Sequence, residues 1–259
     1  MEISNKDYHA DISKLSSSML KLLLRDPQQF YNKYIAQNVP EEKKDVFDEG
    51  TLVHALLLEP HIIEKAFAFY PGLRKAGEAW ELFKEENKGK ITMRTAQFLK
   101  CKEYAKAAQN RPEAMQLISG GCPEHSMYGN IAGLPVKARA DYINVDSGYI
   151  VDVKTTSYPA EWEMFKQTVA ELHYGLSAAL YCDIAEQNYN RKFDFYFVVI
   201  SKTDMKCDVY KTSAETLADG KAEYLKALRL FKQCTESGLW LAEQSKVDYS
   251  SKNYEIMEV

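Results

Sequence analysis

The order of patterns along this chain predicts an α/β fold: a central mixed β-sheet flanked by helices, with a helical N-terminal extension. Three observations carry that reading. Mainly helix-favouring text fills residues 1–120, a β-rich hairpin turns at Asp146-Ser147-Gly148, and two helices separate it from a second strand pair and a long closing helix. Helices before, between and after the strands call for cover on both faces of the sheet. The predicted organisation is a single domain over residues 1–259. Its mainly helical part is 1–120, its core sheet and flanking helices are 121–237, and 238–259 is a tail too short to assign.

The elements follow in order. "SKLSSSMLKLLLRDPQQFYNKYI" reads as a capped amphipathic helix: Ser16 to Ser18 offer N-cap oxygens, Leu20, Leu23 and Leu24 form an apolar face, and Pro27 breaks or restarts it. "FDEGTLVHALLLEP" is a short apolar helix stopped by Pro60. Charged helix-favouring text runs from Lys75 to about Ser119. Val136–Val145 and Tyr149–Thr155 then flank the hairpin turn. Helices are predicted over 160–172 and 174–187, and strands in "KFDFYFVVISKT" and "KCDVYKT". The last helix, about 214–237, has Leu217, Tyr224, Leu225, Leu228 and Phe231 on its apolar face.

Composition narrows the function classes. The chain of 259 residues is 46% hydrophobic and 27% charged, enough for a real core. A formal net charge of −4 argues against a generally basic nucleic-acid coat but leaves room for a local basic channel. The N-terminal text is no signal peptide, and the apolar runs are too short to span a bilayer, so a soluble intracellular protein without membrane contact is expected. Five scattered cysteines with no CxxC spacing suit a reducing compartment and make a cysteine-bound zinc or iron–sulfur site improbable.

The hairpin "KARADYINVDSGYIVDVKTT" carries two acids and a lysine on strands otherwise suited to burial. Side chains alternate along a strand, so Asp152 and Lys154 share one face while Val151 and Val153 take the other. With a two-residue loop centred on Asp146-Ser147, Asp141 and Asp152 stand opposite each other, roughly 5 Å apart between Cβ atoms. Facing carboxylates in a partly buried place resist joint ionisation. Lys154 is one compensating charge; a divalent cation is the better one, since carboxylate oxygens suit Mg²⁺. The bland alternative is an edge strand whose charges face water or form a salt bridge, and spacing alone leaves the two readings level.

These residues bring in a resemblance. "ARADYINVDSGYIVDVKTT" resembles the metal-binding core of the PD-(D/E)xK nucleases, and the chain is similar in particular to the exonuclease VIII (RecE-like) recombination exonucleases of phages and prophages. "ISKLSSSMLKLLLRDPQQFYNKYI" resembles their serine-rich helix, "GTLVHALLLEP" their histidine helix, "CPEHSMYG" the acidic segment before the hairpin, and "HYGLSAALYCD" the helix after it.

The resemblance implies that Asp141 and Asp152 ligate the catalytic metal, that the Val153 carbonyl completes part of its shell, and that Lys154 polarises the attacking water. His54 would be a further ligand, against the plainer reading of a core histidine bonded to a carbonyl. Glu124 would bind a second metal or face solvent. Arg139, Thr155, Ser177 and Tyr181 would meet the substrate. Ser177 stands where the family usually has glutamine, which puts the positioning of DNA in question.

The implied cofactor is Mg²⁺, with Mn²⁺ as a substitute because of the nitrogen ligand. Asp26 precedes Pro27 where related nucleases have a cluster cysteine, so no iron–sulfur cluster is expected. The implied activity is degradation of duplex DNA from 5′ ends. The implied partners are double-stranded DNA, a single-strand annealing (RecT-like) protein and further copies of the chain in a ring. The implied setting is the cytoplasm of a bacterial host. Lys137, Arg139, Lys154, Lys166 and the lysines from Lys84 to Lys106 are candidates for a DNA-facing charge, each also readable as part of a solvated face. Two rivals remain: an endonuclease on the same core, and a non-catalytic DNA-binding protein.

Overall fold

The computed structural model describes residues 5–39, 45–241 and 256–258. The N-terminal part is built from α1 (Asn5–Ala10), α2 (Ser17–Arg25), α3 (Pro27–Phe30), α4 (Asp45–Leu58) and α5 (Ile63–Ala66). The Ser16 side chain caps α2 by accepting from the Met19 amide, as the serine run predicts. Asp26 closes α2 and caps α3 by accepting from the Gln29 amide, with Pro27 in the first turn, where its missing N–H costs nothing.

A small excursion follows: β1 (Phe67–Tyr70), α6 (Glu78–Glu86) and β2 (Ile91–Arg94), the two strands pairing in parallel as a sheet of their own. Charged text masked these four-residue strands in the sequence. Two more helices, α7 (Thr95–Gln109) and α8 (Pro112–Leu117), lead to the main sheet.

That sheet runs β3 (Cys122–Ile131), β4 (Leu134–Asn144), β5 (Tyr149–Thr156), β6 (Asp194–Ser201), β7 (Cys207–Thr212) and β8 (Ile256–Glu258), neighbours in that order. Only β5 and β6 pair in parallel; the other pairs are antiparallel. The parallel step needs a crossover, and α9 (Trp162–Glu171) and α10 (Tyr174–Tyr189) supply it. The last helix, α11 (Ala214–Ser237), has its N-cap at Ser213 and ends at Gly238, φ 70°, within the predicted limits.

Each face of the sheet has its own core. Leu20, Leu23, Phe165, Leu176, Phe195, Phe197 and Tyr224 belong to one, where α2, α9, α10 and α11 pack. Leu52, Val53, Tyr104, Val151, Val153, Val198 and Val209 belong to the other, where α4 and α7 pack. The mixed sheet with helices on both faces is the predicted architecture.

The crossing of α10 and α11 sets the position of the first turn of α10. A Cβ placed on Gly220 would lie 2.0 Å from the Gly175 carbonyl oxygen, so only glycine fits there. Gly220→Ala should force the helices apart and cost about 1–3 kcal/mol, read as a lower thermal midpoint. An unchanged midpoint would show that the crossing tolerates a methyl group.

Candidate active site

The hairpin builds the centre of the site. Its ladder pairs Tyr142 with Val151, Ile143 with Ile150 and Asn144 with Tyr149. The turn therefore has four residues, 145–148, where a two-residue loop was expected, yet the register is the expected one. Asn144 explains the longer turn: its side-chain oxygen accepts from the Ser147 amide and its carbonyl from the Gly148 amide, with Gly148 at φ 74°. Continued one step, this register sets Asp141 opposite Asp152. No ladder pair forms there, and the Val153 amide instead donates to Asp141 Oδ2 at 2.7 Å.

The neighbouring strand adds a third acid. Pro123 pairs with Tyr142 and His125 with Ala140, so Glu124 lies opposite Asp141 on the other side. Glu124 has φ 48°, uncommon for a residue with a side chain. The alternation of β4 slips at the same place. Val136, Ala138 and Ala140 belong to the first core, Tyr142 to the second and Ile143 to the first again. Glu124, Asp141 and Asp152 thus form one row across three strands.

His54 arrives from α4, the helix on the other face. Its Nε2 lies 2.8 Å from the Val153 carbonyl oxygen and its Nδ1 3.7 Å from Asp141 Oδ2. A proton on Nε2, donated to that carbonyl, leaves the Nδ1 lone pair facing the acids. The core-histidine reading and the ligand reading are therefore compatible, one for each ring nitrogen. One donor atom each from His54, Glu124 and Asp141 lie within 4.8 Å of one another. Nitrogen and carboxylate donors so close are what a hard or borderline divalent cation needs.

Asp152 is turned toward Lys154, whose Nζ is 2.6 Å from Asp152 Oδ1. Val151 and Val153 point into the opposite core, as alternation predicts. Burial works against the Lys154 charge, but Asp152 and then Asp141 outweigh it and hold the ammonium charged. Arg139 compensates Glu124, its Nε 2.9 Å from Oε2, and also donates to Ser126 Oγ. Asp141 is left in the middle. Burial is the main cause that lifts its carboxyl to about 7, and the charge of Asp152 pushes it the same way.

Among the substrate candidates, Tyr181 is half-buried, bonded to the Ser17 side chain and within the field of Asp152; burial first, then that charge, raises its phenol to about 12. Ser177 is buried inside α10 and Thr155 half-buried on β5. Lys137 corrects an expectation. It is 3% exposed and donates to the carbonyl oxygens of Tyr8 and Asp11, which ties the N-terminal segment to β4 and removes it from any DNA-facing surface. Lys84 pairs with Glu81 on α6, and Lys88, just past its end, with Glu85, the solvated-face alternative.

With this geometry in place, the comparisons with known proteins decide the family. The profile of the PDDEXK-like domain of unknown function (DUF3799) matches residues 16–253. The chain belongs to that family. It therefore carries the PD-(D/E)xK core that the hairpin resembles. A solved structure from Eubacterium rectale, described as a "Putative exonuclease", is similar over 92% of this chain and 88% of its own. The TM-score is 0.67 at 17% identity, a likeness of fold. The structure of SSO0001, at 14% identity and TM-score 0.29 over 68% of this chain and 85% of its own, is too distant to argue from. No curated protein matches. Among the described residues, no helix is long and apolar enough to cross a membrane.

The Asp141 shift gives a pH prediction. Its folded pKa is raised, so the metal-free fold binds a proton that the unfolded chain releases near pH 4. The stability from this group is full below pH 4 and lost as pH rises toward 7. In chelator, melting temperature should fall over that window, by on the order of a few kcal/mol of stability. In Asp141→Asn the fall should be much smaller. Equal pH profiles for the two proteins would contradict the shift.

Proposed function

We propose that the protein is a metal-dependent DNA exonuclease that hydrolyses duplex DNA from 5′ ends and leaves 3′ single-stranded overhangs for recombination by strand annealing. The observation that carries the reading is the acid row of Glu124, Asp141 and Asp152, flanked by His54 and Lys154, on a PD-(D/E)xK core. The likeness of its motifs to the exonuclease VIII group supplies substrate and polarity. The description of the Eubacterium rectale protein agrees with the exonuclease choice.

On this reading His54 Nδ1, Asp141 and Glu124 would hold the divalent ion, Mg²⁺ or Mn²⁺, and Asp152, here bonded to Lys154, would complete the set. The bound ion would supply Lewis acidity and lower the pKa of a coordinated water. Lys154 stays protonated and places positive charge where the phosphate gains negative charge. Asp141 fixes the Val153 backbone through its amide, and Val153 in turn orients His54 through its carbonyl. The partners on this reading are double-stranded DNA, a RecT-like annealing protein and further copies of the chain in a ring, within a bacterial host.

The test is digestion of linear and closed circular duplex in Mg²⁺. Loss of the linear form alone is expected. Cutting of both would make the protein an endonuclease, and no cutting would leave a DNA-binding protein. Asp152→Asn should lower cleavage to background while keeping the fold. It is a cleaner variant than Asp152→Ala, because asparagine keeps an acceptor oxygen for the half-buried Lys154 ammonium. Lys154→Ala should lower turnover by about a hundredfold and DNA affinity far less. Equal losses in both would make Lys154 a simple phosphate contact.

A further inference from the structure

A second lysine stands beside Lys154. Lys21 is the only charged residue in the stretch Ser17–Leu24 of α2, between the buried Leu20 and Leu22. Its Nζ lies 5.0 Å from the centre of the Tyr174 ring, and Lys154 Nζ lies 5.3 Å from the same centre. The two ammonium groups are therefore no more than about 10 Å apart, on one aromatic platform that attracts cations. Tyr174 is held in place: it opens α10, stacks on Phe197 at 5.8 Å and packs against Phe165.

Lys21 differs from the other cations near the acid row. Lys154 has Asp152, Arg139 has Glu124 and Ser126, and Lys137 has two carbonyls. Among the described residues Lys21 has no hydrogen bond and no carboxylate within 4 Å. The two acids whose charge reaches it, Asp152 and Glu223, are already bonded to Lys154 and to His173. Burial first, then the Lys154 charge, depresses its pKa to about 7. A half-buried ammonium with no anion costs stability, and such a cost is recovered when an anion arrives.

We propose that Lys21, held over the Tyr174 ring, forms a second phosphate site, which takes the DNA phosphate next to the one being cut. The inference rests on the nuclease reading and adds a contact to it. Lys154 meets the reacting phosphate and Lys21 the adjoining one, so a single strand passing over Tyr174 satisfies both cations. The adjoining phosphate is either an internal linkage or a terminal phosphate, and both offer anionic oxygens to an ammonium group.

The test is equilibrium binding of short labelled duplexes to native protein and Lys21→Met in Ca²⁺, across a series of salt concentrations. One set of duplexes carries a single neutral methylphosphonate linkage at each position in turn, and another pair differs only in a 5′-phosphate. Lys21→Met should bind about tenfold more weakly. The slope of log affinity against log salt should shrink by about 1. One phosphate that matters to the native protein should cease to matter in the variant, and Lys21→Arg should restore it.

An unchanged salt slope, or neutral linkages that weaken both proteins equally, would overturn the proposal. Native protein that binds no duplex at all would instead overturn the nuclease reading, a result distinct from binding that ignores Lys21.

Discussion

Three carboxylates in one row across adjacent strands repel one another, and the rest of the site is arranged around that repulsion. Arg139 holds Glu124 and Lys154 holds Asp152, which leaves Asp141 between two charged pairs and most easily kept neutral. A sheet built only for stability would replace these acids with apolar residues at little or no cost. Their presence, at a point where Glu124 has a positive φ and β4 changes face, is a structural expense that a cation would offset.

The two cores explain how the row is held steady. One strand of the hairpin carries Val151 and Val153 into the core that α4 shares, and through Val153 O the same strand fixes His54 of that helix. The other face of β5 presents Asp152 and Lys154 to Tyr174, whose ring is fixed by Phe165 and Phe197. Every group with a chemical role is thus attached to a strand or helix that packs into one of the two cores. Such attachment holds ligand geometry more tightly than a loop can.

Much of this was legible in the residues. The serine cap of α2, the hairpin register and the full extent of the last helix all follow from capping, alternation and amphipathic spacing. The four-residue turn was not, because Asn144 stabilises it by a side-chain bond that hairpin rules do not anticipate. The β1–β2 pair was hidden for another reason: four-residue strands surrounded by lysines and glutamates leave no periodic signal. Lys137 read as surface charge, since nothing local reveals that Tyr8 and Asp11, far along the chain, supply its carbonyl partners. The pairing of Arg139 with Glu124 was out of reach until β3 was placed beside β4.

The central claim is that the acid row exists to hold a divalent cation. Anomalous diffraction from crystals soaked in Mn²⁺ tests it most directly. A peak within ligand distance of His54 Nδ1, Asp141 and Glu124, with Asp152 turned away from Lys154 to join them, is the expected result. Crystals in which Mn²⁺ binds elsewhere, or in which the four side chains keep their ion-free contacts at saturating Mn²⁺, would contradict it.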